Sequence, residues 1–97
     1  MDLYVILRRN GWRDGADLEA AAARSTAEGD KDGSGVRWIR SYVVHEDNGD
    51  LGTVCIYEAE SPDAIRAHAA ATPMAVHEIN LVADTVVVRP DPAPVEA

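Results

Sequence analysis

Apolar residues recur along this chain with a period of two in some stretches and a helical period in others, and their order predicts the fold. The stretch Val36–Glu58 organises the rest. Within Val36–His45, Val36, Trp38, Arg40, Tyr42 and Val44 share one parity, and Arg37, Ile39, Ser41, Val43 and His45 share the other. Both parities carry apolar side chains, so the strand is expected to be covered on both sides over part of its length. Glu46–Leu51 breaks the pattern with Asp47, Asn48, Gly49 and Asp50, a polar turn cluster. Gly52–Glu58 resumes it through Thr53, Val54, Cys55, Ile56 and Tyr57, and the two strands read as a hairpin.

Leu3–Arg9 is the first strand, and its five consecutive apolar residues, Leu3 to Leu7, mark it as an inner one. Tyr4, Ile6 and Arg8 share one of its faces. Asn10–Gly15 ends it. Asp17–Glu28 follows as a helix with a narrow inward stripe of Leu18, Ala21, Ala22 and Ser25, and Asp14 supplies a capping carboxylate. Gly29–Gly35 is a loop whose Asp30, Asp32 and Ser34 alternate like calcium ligands, but neither the helix–loop–helix frame nor the terminal Glu of such a site follows. Ser61-Pro62-Asp63 opens a second helix, with Ser as cap, Pro at the first position and Asp facing the positive end of the dipole. It should run to about Ala71, burying Ala64, Ile65, His68, Ala69 and Thr72, until Pro73 stops it. Met74–Arg89 is mostly strand-like, with a change of phase near Ala83–Thr85 that predicts a bulge, a bend, or a break before a short extra strand at Val86–Val88. Pro90, Pro92 and Pro94 punctuate a tail, residues 90–97, expected to be disordered outside a single domain of residues 1–89.

The sum is β-α-β-β-α-β, an α+β ferredoxin-like arrangement. Leu3–Leu7 and Gly52–Tyr57 belong in the centre of an antiparallel sheet, with Val36–His45 and the last strand at its edges. Two helices cover one face. The other face is left open, either for a second copy of the chain, in a homodimer of the dimeric α/β-barrel type, or for solvent, in a monomer with a wet, concave sheet.

Composition narrows the partners. Seventeen acidic residues against nine Lys and Arg give a formal charge of −8 without a basic cluster, which disfavours nucleic acid and anionic membranes. The one cysteine, Cys55, rules out an intrachain disulfide, and the absence of a signal-peptide pattern or long apolar run points to a cytoplasmic, soluble protein. Among residues able to carry chemistry, Trp38, Tyr42 and Tyr57 on the hairpin could line a ligand or cofactor site. His68, on the helix face expected to approach the sheet, is the best candidate base or metal ligand. Cys55, His45, Glu58 or Glu78 could complete a site for a borderline ion such as Ni2+ or Zn2+. The bland reading of each is packing: a lone cysteine in a central strand is usually inert, and a buried histidine usually bonds a neighbour.

Trp38-Ile39-Arg40-Ser41-Tyr42-Val43, Cys55-Ile56-Tyr57-Glu58-Ala59 and Ile65-Arg66-Ala67-His68-Ala69 together resemble the motifs of the DUF4242 family of small nickel-responsive-protein-like domains. The resemblance spans about Leu3 to Arg89, and Tyr42, Cys55, Tyr57 and His68 fall on its motif positions. It implies a ferredoxin-like fold, pairing as homodimers, and nickel binding. The chain departs from the family pattern at Ala69-Ala70-Ala71-Thr72-Pro73-Met74, where a glycine-rich turn is usual, and in the added Gly29–Gly35 loop. Three functions follow as expectations: a homodimer that binds a divalent transition metal, a small-molecule-binding or enzymatic domain of the dimeric α/β-barrel type, or an interaction module whose motif residues are all core.

Overall fold

The computed structural model describes residues 1–31, 33–72 and 74–92. Asp32 of the calcium-like alternation, Pro73 as helix stop and Pro94 in the tail lie outside the described residues.

Six elements follow in the expected order: β1 (Asp2–Trp12), α1 (Gly15–Gly29), β2 (Val36–His45), β3 (Leu51–Ala59), α2 (Pro62–Ala71) and β4 (Glu78–Leu81). The sheet order is β2-β3-β1-β4, with every neighbouring pair antiparallel, so β1 and β3 take the centre as their apolar runs require. Both helices begin at side-chain caps. Asp14 accepts from the Asp17 N–H at 3.0 Å, and Ser61 Oγ accepts from the Ala64 N–H at 3.1 Å. Alternation along the central strands divides the faces. Tyr4, Ile6 and Arg8 of β1 and Thr53, Cys55, Tyr57 and Ala59 of β3 are buried on the helix side, while Leu3, Val5, Leu7, Val54 and Ile56 are only half-buried on the other. Ile65, His68 and Ala69 of α2 and its C-cap Thr72 are buried, as the helix period predicts.

Two irregularities shape the helix-side face. Between Trp38 and Arg40, β2 carries an extra residue, so Trp38 pairs with Tyr57 and Arg40 with Ile56. Residues beyond Ile39 therefore exchange faces: Ser41 and Val43 pair with Cys55 and Thr53 on the helix side, and Arg40 and Tyr42 turn to the open side. This corrects the unbroken parity read from sequence. In β1 the register skips from Arg8↔Thr53 to Trp12↔Leu51, with Asn10 at φ 49° in the left-handed region. Glu46 clasps this bulge, accepting the Asn10 N–H at 3.1 Å and lying 3.7 Å from Arg9 Nη1. Opposite the bulge, a Cβ on Gly52 would stand 2.8 Å from the Arg8 carbonyl oxygen, closer than side chains tolerate.

The last strand is much shorter than its hydrophobic pattern predicts. β4 is four residues long, and Val86, Val87 and Val88 are 84%, 70% and 80% exposed and form no strand. The reason is register. Leu81 pairs with Tyr4 and the Val82 N–H bonds the Leu3 carbonyl, so β1 runs out of residues before Val86 is reached. The chain instead runs along the open face to Asp91, which accepts from Tyr42 Oη at 2.5 Å and lies 3.6 Å from Arg40.

Candidate functional site

A cavity of about 200 Å³ lies between α1 and the sheet. Trp12, Trp38 and Tyr57 supply aromatic walls, and Leu18, Ala22 and Met74 apolar ones. The two irregularities build it. The β1 bulge adds two residues, so Trp12 stays on the helix side but stands opposite Leu51, and the β2 bulge brings Ser41 and Val43 to that side. Trp38 Nε1 donates to Ser41 Oγ at 2.8 Å, and the Trp38 and Tyr57 rings stack with centroids 6.1 Å apart. The small-residue stripe of α1 leaves the room: Ala22 fills little space, and Ser25 Oγ bonds Tyr57 Oη at 2.9 Å. Burial, opposed by that bond and by the nearby Arg8 charge, holds the Tyr57 phenol above its ordinary pKa.

Arg8 is the residue the cavity turns on. It is 2% exposed and is the one charged side chain among the described residues that line the cavity. Its Nη1 donates to Cys55 Sγ at 3.2 Å, Cys55 Sγ donates to Thr53 Oγ1 at 3.3 Å, and its guanidinium carbon sits 5.9 Å from the Tyr57 ring centroid. Sulfur is a weak acceptor and the ring a modest counter-charge. Its Nε and Nη2 are buried without a hydrogen-bond partner, and it makes no ion pair among the described residues. A buried guanidinium left so incompletely paired is costly unless something else completes it.

The residues singled out from sequence divide. Trp38, Tyr57 and Cys55 meet at the cavity. Tyr42 does not: its bulge-shifted face is the open one. His68 is buried beside Tyr57, ring centroids 5.7 Å apart, and its Nε2 donates to the Ser25 carbonyl at 2.9 Å, tying α2 to α1. His45 is exposed at the far end of β2, while Glu58 faces the open side within 3.5 Å of Arg37. Glu78 is exposed on β4. His68, Cys55, His45 and Glu58 are thus not gathered in one chain, and no group of three His, Cys, Asp or Glu suited to a metal ion forms among the described residues. The donor chemistry does not fit nickel at the cavity either. The thiol of Cys55 is held by a cationic guanidinium, and His68 spends Nε2 on a carbonyl.

The sequence model of the nickel responsive protein SCO4226-like family matches residues 4–82, a span from Tyr4 of β1 to just past β4. The chain belongs to that family. The match carries the SCO4226-like description rather than the DUF4242 label. Among solved structures, SCO4226 from Streptomyces coelicolor A3(2) superposes with a TM-score of 0.68 at 17% identity, covering 87% of this chain and 99% of that one. At that identity the likeness speaks for the fold. No curated protein matches at a comparable level. Within the described residues no helix is long and apolar enough to cross a membrane.

Sequence reasoning placed Trp38, Cys55 and Tyr57 at the site but passed over Arg8, Trp12 and Thr53. Arg8 had a usable signal, since it continues the Tyr4–Ile6 parity of a central strand and a charge there must be buried. Trp12 carried the same signal, since it continues the parity of Tyr4, Ile6 and Arg8, but the polar, glycine-bearing stretch after Arg9 reads as the end of the strand.

Proposed function

We propose that this chain is a small-molecule-binding domain that works as a pair of identical copies, its site being the cavity between α1 and the sheet. The observation that carries the reading is the cavity's makeup: aromatic walls around a buried guanidinium, two of whose three nitrogens have no partner among the described residues. Pairing is supported by the open sheet face, where Leu3, Val5, Val54 and Ile56 stay half-buried, and by the exposure of Val86, Val87 and Val88. The test is a screen of small neutral and anionic aromatic compounds against the isotope-labelled protein by nuclear magnetic resonance. Ligands should shift the indole N–H signals of Trp12 and Trp38, and the reading fails if no compound moves either.

The family's name favours a second reading, a domain that binds nickel. Its donors would come from exposed imidazoles such as His45; His77 would first have to give up the bond in which its Nδ1 accepts the Arg9 N–H, because that bond leaves the proton on Nε2. Calorimetric titration with nickel separates the two readings. Under the cavity reading, Cys55→Ala and His68→Ala leave any nickel affinity within about twofold, a change worth less than 0.5 kcal/mol. Loss of nickel binding in either variant would make the cavity region a metal site and overturn the first reading.

A further inference from the structure

We infer that the cavity takes a small, flat monocarboxylate with an apolar ring, its carboxylate held by Arg8; this rests on the reading of the cavity as a ligand site. The inference comes from which guanidinium atoms are unused. Nη1 is engaged by Cys55, whereas Nε and Nη2 have no partner and are closed off from the free space of the cavity, so a ligand meets them as the Arg8 side chain turns that edge inward. Those two nitrogens share one edge of the guanidinium plane, and their N–H bonds run parallel. Two parallel donors on one edge are the arrangement that meets both oxygens of a carboxylate at once.

Charge and size narrow the class. Arg8 is the one cation among the described lining residues, so the cavity balances a single negative charge and offers nothing further for a dianion such as phosphate. The remaining polar groups near Arg8 are committed to one another, Ser25 to Tyr57 and Cys55 to Thr53. They leave the rest of the ligand to meet apolar and aromatic walls. A cavity of about 150 Å³ accommodates benzene, and this one, at about 200 Å³, has room for such a ring with a carboxylate attached. Stacked Trp38 and Tyr57 present flat surfaces that suit a planar ring.

Benzoate and its neutral isostere benzamide are the probes, titrated into the full-length protein by calorimetry and nuclear magnetic resonance. Benzoate should bind at least about tenfold more tightly than benzamide, the effect of a charge-assisted pair of hydrogen bonds. Arg8→Met should erase that preference and leave benzamide affinity within about twofold. Should Arg8→Met not fold, Arg8→Lys keeps a positive charge but loses the paired donors, and should weaken benzoate by about tenfold. The unmodified protein also decides the matter alone. Equal affinity for the two probes overturns the carboxylate assignment while the cavity stands as a ligand site. Displacement of benzoate by inorganic phosphate at matching concentration overturns it in favour of a general oxyanion site. Failure of both probes to move the Trp12 and Trp38 signals overturns this inference, and the proposed function falls with it only where the wider screen is silent too.

Discussion

At the scale of single residues, the cavity region is held by bonds that join separate elements. Ser25 bonds Tyr57 through its side chain and His68 through its carbonyl, so one residue of α1 fixes both β3 and α2. Ser25→Ala should cost about 1–3 kcal/mol in urea unfolding, because it strands the buried Tyr57 hydroxyl. His68→Ala should cost a similar 1–3 kcal/mol by leaving the Ser25 carbonyl unpaired. Tyr57 also makes stability depend on pH. Its folded pKa is raised above the ordinary 10.0, chiefly by burial, so the fold favours the neutral phenol. The stability this contributes is fully present below the unfolded pKa and is lost as pH climbs through the folded one. Urea midpoints measured at rising alkaline pH should therefore fall more steeply in the natural protein than in Tyr57→Phe, and parallel slopes would contradict this.

At the scale of elements, the sequence was legible where local chemistry decides and opaque where register does. Ser61-Pro62-Asp63 announced α2 and Asp14 capped α1, because a cap is written in neighbouring residues. Removing the first of these, Ser61→Ala, should destabilise the protein by about 1 kcal/mol, read as a lower urea midpoint with unchanged slope. The hairpin and the central positions of β1 and β3 were equally plain, since continuous apolar runs belong inside a sheet. The end of β4 was not. Val86, Val87 and Val88 have strand composition, but whether they find a partner depends on where β1 begins relative to Leu81, a distance no local pattern encodes. The extra residue at Ile39 was hidden for the same reason, and with it the separation of Tyr42 from Trp38. The site was legible by half: three of its side chains lay on the hairpin, while its charge came from a strand read only as core.

At the scale of the whole molecule, one sheet face carries two helices and the cavity, and the other carries a thin covering by the chain after β4. Asp91 pins that covering to Tyr42 and Arg40. If two copies pair through this face, Val54→Glu should turn a dimer into a monomer in light scattering while preserving the circular dichroism of the fold. A natural protein that already runs as a monomer would refute the pairing. Gly52 has a consequence for the opposite face. It sits on the hairpin, away from the cavity walls, yet its missing side chain is what lets β3 approach the carbonyl of Arg8. Backbone spacing at this one position thus bears on where the Arg8 backbone stands. A methyl group at Gly52 would act as a shim, levering β1 outward and changing what the cavity accepts without touching any residue that lines it.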